Sequence, residues 1–155
     1  MSEALIRAQI KAIMETVPGI GVVHDYERYA RSLADYFVLM TQDGTINGWS
    51  IHREETKSRQ ITMGLNGQIE RVHTYRLAGL REMDDAAGSE KIFQAVIDGI
   101  FGAFKANHTL NGTAESHDLI QIDEVTVCIE DEYAGTLYHV ADCTLVVTER
   151  VDIMT

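Results

Sequence analysis

SEKIFQAVIDGIFGAFKAN, residues 89–107, is the stretch whose reading decides the fold. Ile92, Val96, Ile100 and Phe104 form one i, i+4 row, and Phe93, Ile97 and Phe101 form a second beside it. At about 100° per residue the two rows cover one apolar half of a helix about 25 Å long. Ser89 is the expected N-cap, with Asp84, Asp85 and Glu90 at the positive end and Lys105 near the other. Asn107 is expected to end the helix in the left-handed conformation. A half-cylinder of Ile, Val and Phe must be covered, and alternating runs on both sides in sequence supply a sheet to cover it.

Before this helix, residues 3–17 read as another. Leu5, Ile6, Ile10, Ile13, Met14 and Val17 share a face, Ser2 can cap the start, and Pro18-Gly19 stops it. Residues 21–29 read as a strand and 32–40 as a short helix, because Leu33, Tyr36, Phe37 and Met40 sit at helical spacing. Asp43-Gly44 marks a turn. Residues 46–53 alternate as a strand with Trp49 and Ile51 inward, and the polar run 53–60 reads as an exposed loop or the end of a protruding hairpin. Asn66-Gly67 is a hairpin-turn dipeptide, followed by a strand at 68–80. Ile69, Arg71, His73, Tyr75 and Leu77 lie on one side of that strand, whose mixed faces suit partial cover by another copy.

After the organising helix, a Gly/Asn/Ser-rich loop spans 108–118 and two strands follow at 119–130 and 135–147, joined by a turn at 131–134. In the first, the inward phase slips from Ile120 and Ile122 to Val125, Val127 and Ile129, which predicts a bulge at Asp123-Glu124. In the second, the odd positions from Leu137 to Val147 look inward. The predicted order is α-β-(α)-β-β-α-β-β. That is one α+β domain, with a mainly antiparallel sheet packed on one face by two long helices.

With 155 residues and 45% hydrophobic content the chain can bury a real core. It shows no low-complexity tract and no apolar run of membrane-spanning length. The start has no basic, apolar leader pattern, so the expected setting is cytoplasmic synthesis of a soluble protein, with no membrane partner. Thirteen Lys and Arg stand against twenty-four Asp and Glu, a formal charge of −11, which argues against gripping nucleic acid. The charge is uneven. Residues 53–81 hold six basic groups (Arg53, Lys57, Arg59, Arg71, Arg76, Arg81) against three acidic ones. A basic segment on an acidic body suits head-to-tail self-association, and a solvated hairpin would look the same.

Signatures of catalysis are weak. The six histidines show no HxH or HExxH spacing, and the paired carboxylates fall in turns or at strand ends. No GxSxG elbow, Walker A run or Rossmann glycine run is present. The reading is of no enzyme, no metal and no cofactor. Cys128 and Cys143 sit in separate strands, their inward phases differ, and both are expected to be free thiols. The oddity is Gly99 and Gly102 inside the main helix, each costing about 1 kcal/mol against Ala. With Ala95 they form a small-residue strip. It suits close packing within the chain or against a neighbouring copy.

Several features then occur in order. They are Trp49-x-Ile51-x-Arg53, Arg71-x-His73-x-Tyr75-x-Leu77-x-Gly79, the Asp84-Asp85 loop, Ser89-Glu90-x-x-Phe93-Gln94 and a last strand His139-x-Ala141-x-x-x-Leu145-x-Val147-x-Glu149. With the Pro18-Gly19 stop, this set resembles the tail terminator proteins of long-tailed bacteriophages over most of the chain. The resemblance implies an α+β subunit that forms a homo-hexameric ring on the finished tail tube, stops its polymerisation and offers a surface to the head–tail connector. It implies a virion protein of the tail and neck, assembled in the bacterial cytoplasm, with DNA passing the lumen without sequence-specific binding. There is no catalytic residue to transfer. Arg53, Lys57 and Arg59 on the polar hairpin, with Gly99 and Gly102, are the subunit-interface candidates. Two alternatives are another head–tail completion protein and a small-ligand-binding domain or enzyme with a pocket near His73, Tyr75 and His139.

Overall fold

The computed structural model describes residues 3–61, 67–130 and 136–152. Their order is α1 (Glu3–Glu15), β1 (Val22–His24), α2 (Leu33–Leu39), β2 (Thr41–Gln42), β3 (Thr45–Gln60), β4 (Gln68–Glu82), α3 (Ser89–Lys105), β5 (Ser116–His117), β6 (Gln121–Glu130) and β7 (Thr136–Asp152). One sheet runs β1-β3-β4-β7, with β2 also on β3, and with β5 and β6 both on the far side of β7. Every pairing is antiparallel except β1 with β3. The fold is the expected α+β class.

The core forms because three period-two rows meet two period-3.6 faces. Trp49 and Ile51 of β3, Tyr75 and Leu77 of β4, and Ala141, Cys143, Leu145 and Val147 of β7 all point to one face. Ile6, Ile10, Ile13 and Met14 of α1, and Phe93, Val96, Ile97, Ile100 and Phe104 of α3, close over it. The margin of α3 differs from expectation, since Ile92 is exposed and Phe101 is only partly buried. On the opposite face α2 covers one end, burying Phe37, Met40 and Ile46 against Leu80 and Tyr138.

Gly79 shows how tightly the layers meet. A Cβ there would lie within 2.6 Å of Trp49 Cδ2, and the indole itself stacks on Phe93 at 6.0 Å between ring centroids. Gly79→Ala should therefore cost about 1–3 kcal/mol through overpacking. A urea midpoint equal to that of the wild type would show that the indole has room to move.

The ends of α3 are built otherwise than predicted. Gly88, in the left-handed conformation at φ 72°, occupies the N-cap, and Ser89 is the first helical residue. The Ser89 hydroxyl is used elsewhere, accepting from the Asp84 N–H at 2.9 Å. At the other end Ala106 is the C-cap in right-handed geometry, and the left-handed residues are Leu110 and Asn111 in the loop beyond. His117 takes over the capping, with Nε2 donating to the Phe104 and Asn107 carbonyls at 2.8 and 2.9 Å. The helix ends by a side chain delivered from β5, which no local pattern encodes.

The strand at 21–29 shrinks to Val22–His24, because only these residues pair with Gly48, Trp49 and Ser50. Beyond them the chain is held by Arg7, whose guanidinium donates to the Asp25 carbonyl. The 32–40 helix is present as α2, capped by the Ser32 side chain. The bulge near Asp123-Glu124 is present as a register shift between Ile122 and Glu124. Val125 and Val127 of β6 keep the expected inward phase, opposite Ala141 and His139, but they are exposed and not buried in the core. Leu137, at the start of β7, is exposed as well. The Ser2 cap, Asn66 of the predicted turn and the turn at 131–134 lie outside the described residues, as do the side chains of Cys128 and Ile129.

Candidate assembly surface and buried polar chain

Residues 53–60 are not a loop. They continue β3 in register with β4, from Glu55 opposite Thr74 to Gln60 opposite Ile69, after a bulge between Arg53 and Glu55. Beyond Ile51, Tyr75 and Val147 no further hydrophobic side chain of β3, β4 or β7 joins the core. Three strands therefore run past the helical layer as an arm, with β3 extending about 20 Å from its bulge. Arg53, Lys57 and Arg59 are all exposed on it.

The bulge separates those three cations. Arg53 lies opposite Tyr75, on the core side of the sheet, whereas Lys57 and Arg59 lie opposite Val72 and Glu70, on the other side. Much of the arm's basic charge is answered within the chain. Arg59 meets Glu70 at 3.0 Å, Lys57 meets Glu55 at 3.3 Å and Arg76 meets Glu54 at 3.0 Å. These exposed pairs contribute little to stability but lower the field the segment presents.

Gly99 and Gly102 part company. A Cβ on Gly99 would come within 2.7 Å of Val17 Cγ1, so this glycine lets the end of the first helical segment pack on α3. A Cβ on Gly102 would meet nothing within 4 Å, and Gly102 is exposed. The first is an intrachain contact; the second faces outward.

The sequence expectations did not include the polar chain at the base of the arm. His73 and Glu149 are both buried and joined from Nε2 to Oε1 at 3.1 Å, while His73 Nδ1 meets Thr56 Oγ1 at 2.8 Å. Arg71 approaches the same carboxylate oxygen at 3.9 Å, and Glu149 Oε2 is buried with no hydrogen-bond partner. An ionised carboxylate only accepts, so Nε2 donates to it; in the neutral ring Nδ1 then accepts from the Thr56 hydroxyl. β3, β4 and β7 are thus tied together where the hydrophobic core stops. One strand step away, Tyr75 donates to Glu3 Oε1 at 3.1 Å and Arg7 holds the same oxygen at 2.7 Å. Burial alone would raise the Glu3 pKa, but Arg7 and the Tyr75 hydroxyl outweigh it and hold it below the usual carboxylate value. Burial, with Glu3 beside it, pushes the Tyr75 phenol up.

Hydroxyl, imidazole and carboxylate in a row is also the order of a nucleophilic relay. None of the cavities lined by described residues includes Thr56, His73 or Glu149, and the three side chains link β3, β4 and β7. The other histidines are also engaged. His24 Nε2 donates to the Leu39 carbonyl at the end of α2, and His52 meets Glu27 at 3.0 Å. His139 lines an open groove of about 600 Å³ with Met83, Ser89, Ile92 and Val127. It lies eight positions along β7 from the residue opposite His73, about 27 Å away, so His73, Tyr75 and His139 do not share a pocket. Among the described residues no three His, Cys, Asp or Glu side chains are grouped to hold a metal ion. No helix among the described residues is long and apolar enough to cross a membrane.

His139 stacks on Phe93 and its Nε2 meets the Ser89 hydroxyl at 2.9 Å. Since that hydroxyl already accepts from Asp84, its own proton is free to go to Nε2, which suits a neutral ring. Burial lowers the His139 pKa below the ordinary 6.5. The unfolded chain therefore binds the proton more readily, and this contribution to stability is full above about pH 6.5 and falls as pH drops through and below it. Urea midpoints at pH 7.5 and 5.5 should differ, and by less in His139→Gln; an equal pH response in both proteins would exclude His139 as the source. Cys143 is a free, buried thiol whose pKa is pushed up to about 12 by burial, so it is poorly ionised and unreactive near neutral pH.

No family model matches this chain, and neither does any curated protein.

Proposed function

We propose that this chain is a tail terminator subunit of a long-tailed bacteriophage, a structural protein without enzymatic activity. In this reading six copies form a ring on the finished tail tube. The ring stops the tube growing, presents a surface to the head–tail connector and leaves a lumen through which DNA passes. The observation that carries the proposal is the three-stranded arm, which extends past the helical layer with its cationic edge exposed. An arm whose strands are tied at its base by the buried His73–Glu149 pair, and which extends beyond the helical layer, suits contact with another subunit. The ordered sequence features that resemble tail terminators run through the same strands and α3. An acidic chain at −11 suits a passage that DNA slides through without adhering.

Native mass measurement and negative-stain micrographs of the purified protein, alone and mixed with polymerising tail tubes, test this directly. Rings of six subunits and capped tubes of limited length are expected. A protein that remains monomeric or dimeric in both settings would overturn the proposal. Rings that bind the connector and ignore the tube would move the chain to another neck component.

A further inference from the structure

The sheet has two open edges. Over residues 52–59 β3 is hydrogen-bonded to β4 alone, since β1 and β2 pair only with its first half. On the opposite margin β6 pairs only with β7. The two lengths are comparable, eight residues against ten. Long open edges are usually blunted by charges or covered, because their unpaired backbone groups recruit other strands. Here β6 carries an exposed row of apolar side chains: Val127 is 47% exposed, Ile122 42% and Val125 36%.

The edges are complementary in direction and in net charge. Residues 52–59 carry Arg53, Lys57 and Arg59 against Glu54 and Glu55, with Lys57 and Arg59 also in reach of Glu55 and Glu70 of their own chain, while residues 121–127 carry Asp123 and Glu124 and no basic group. Glu124 lies opposite Asp142, on the face away from the core, as do Lys57 and Arg59. The chain of antiparallel pairings from β3 through β4 and β7 to β6 leaves β3 and β6 running in opposite directions. A copy displaced sideways in the same orientation, and by about seven residues along the strands because His52 lies level with Gln121 across the sheet, thus brings residues 52–59 of its β3 antiparallel to the first copy's β6.

We infer that β6 of one copy pairs with residues 52–59 of β3 in the next, continuing the sheet across the subunit boundary. The interface is heterologous, so repetition closes into a ring when its rotation allows. Backbone hydrogen bonds supply adhesion, and Glu124 facing Lys57 and Arg59 fixes which edges meet. The inference rests on the ring-forming reading and names the surfaces that would make the ring.

Two measurements on the full chain test it. Amide exchange in the assembled protein, against a dilute dissociated sample, should slow by about tenfold or more at both 52–59 and 121–127. Glu124→Lys alone, and Lys57→Glu with Arg59→Glu, should each weaken assembly by about tenfold at low salt, and the triple exchange should restore it. All these side chains are exposed, and circular dichroism checks that every variant is folded. An assembled ring with either edge still exchanging freely, or a triple variant no better than the single and double variants, overturns this pairing and leaves the ring standing. A protein that never self-associates overturns both. Protected edges and charge rescue in an assembly that does not cap tubes uphold the pairing and remove the tail-terminator reading.

Discussion

His73→Ala should lower the unfolding free energy by about 3–5 kcal/mol, because it strands a buried carboxylate. Glu149 is 1% exposed, one of its oxygens already lacks a partner, and the other would keep only Arg71 at 3.9 Å. The loss should be felt first in the arm, whose three strands meet at this brace, and less in α1 and α3. The double variant His73→Leu with Glu149→Leu removes both polar groups and is expected to be more stable than either single change, since replacing both partners of a buried hydrogen bond by apolar groups is often nearly neutral. Urea unfolding of the three proteins decides the matter. Additive losses, with the double variant least stable, would show that the two residues act independently rather than as a pair.

Phe104→Ala should cost a similar amount, about 3–5 kcal/mol, through lost burial and the cavity left behind. Phe104 is fully buried, packs edge-to-face on His117 at 5.9 Å, and its own carbonyl accepts from that ring. Truncating it therefore also loosens the cap on α3. Phe101→Ala, on the same helix, should cost clearly less, because Phe101 only borders the core. Equal denaturant midpoints for the two variants would place the centre of the core elsewhere on α3.

The contrast between these phenylalanines marks the limit of periodicity as a guide. Two rows spaced i, i+4 identify an apolar half-helix, but the width of the surface that covers it depends on where the strands end. Ile92 and Phe101 belong to the pattern and fall at its margins. The same limit explains β6. Alternation correctly signalled a strand and its bulge, yet Val125 and Val127 are inward in phase only and remain exposed at the sheet margin. Capping was misread for a different reason. The Ser89 hydroxyl and the C-terminal carbonyls of α3 find partners from distant strands, His139 and His117. The brace was encoded more openly. His73 continues the inward row of Tyr75 and Leu77, and Glu149 that of Leu145 and Val147. A polar residue in the buried phase of each of two neighbouring strands is a pairing signal across 76 residues of sequence.

The bulge between Arg53 and Glu55 bears on how such a chain can vary in length. Trp49 and Ile51 face the core as odd-numbered residues, whereas beyond the bulge it is even-numbered Thr56 that reaches His73. One residue, Glu54, sits outside the register. A descendant lacking it would keep every later side chain on its present face while losing the local twist and bend that a bulge imparts. Single-residue deletion there would re-aim the arm at the cost of one exposed ion pair, Glu54 with Arg76, giving evolution a place to adjust the reach of a subunit toward its neighbour while leaving the other arm side chains on their present faces.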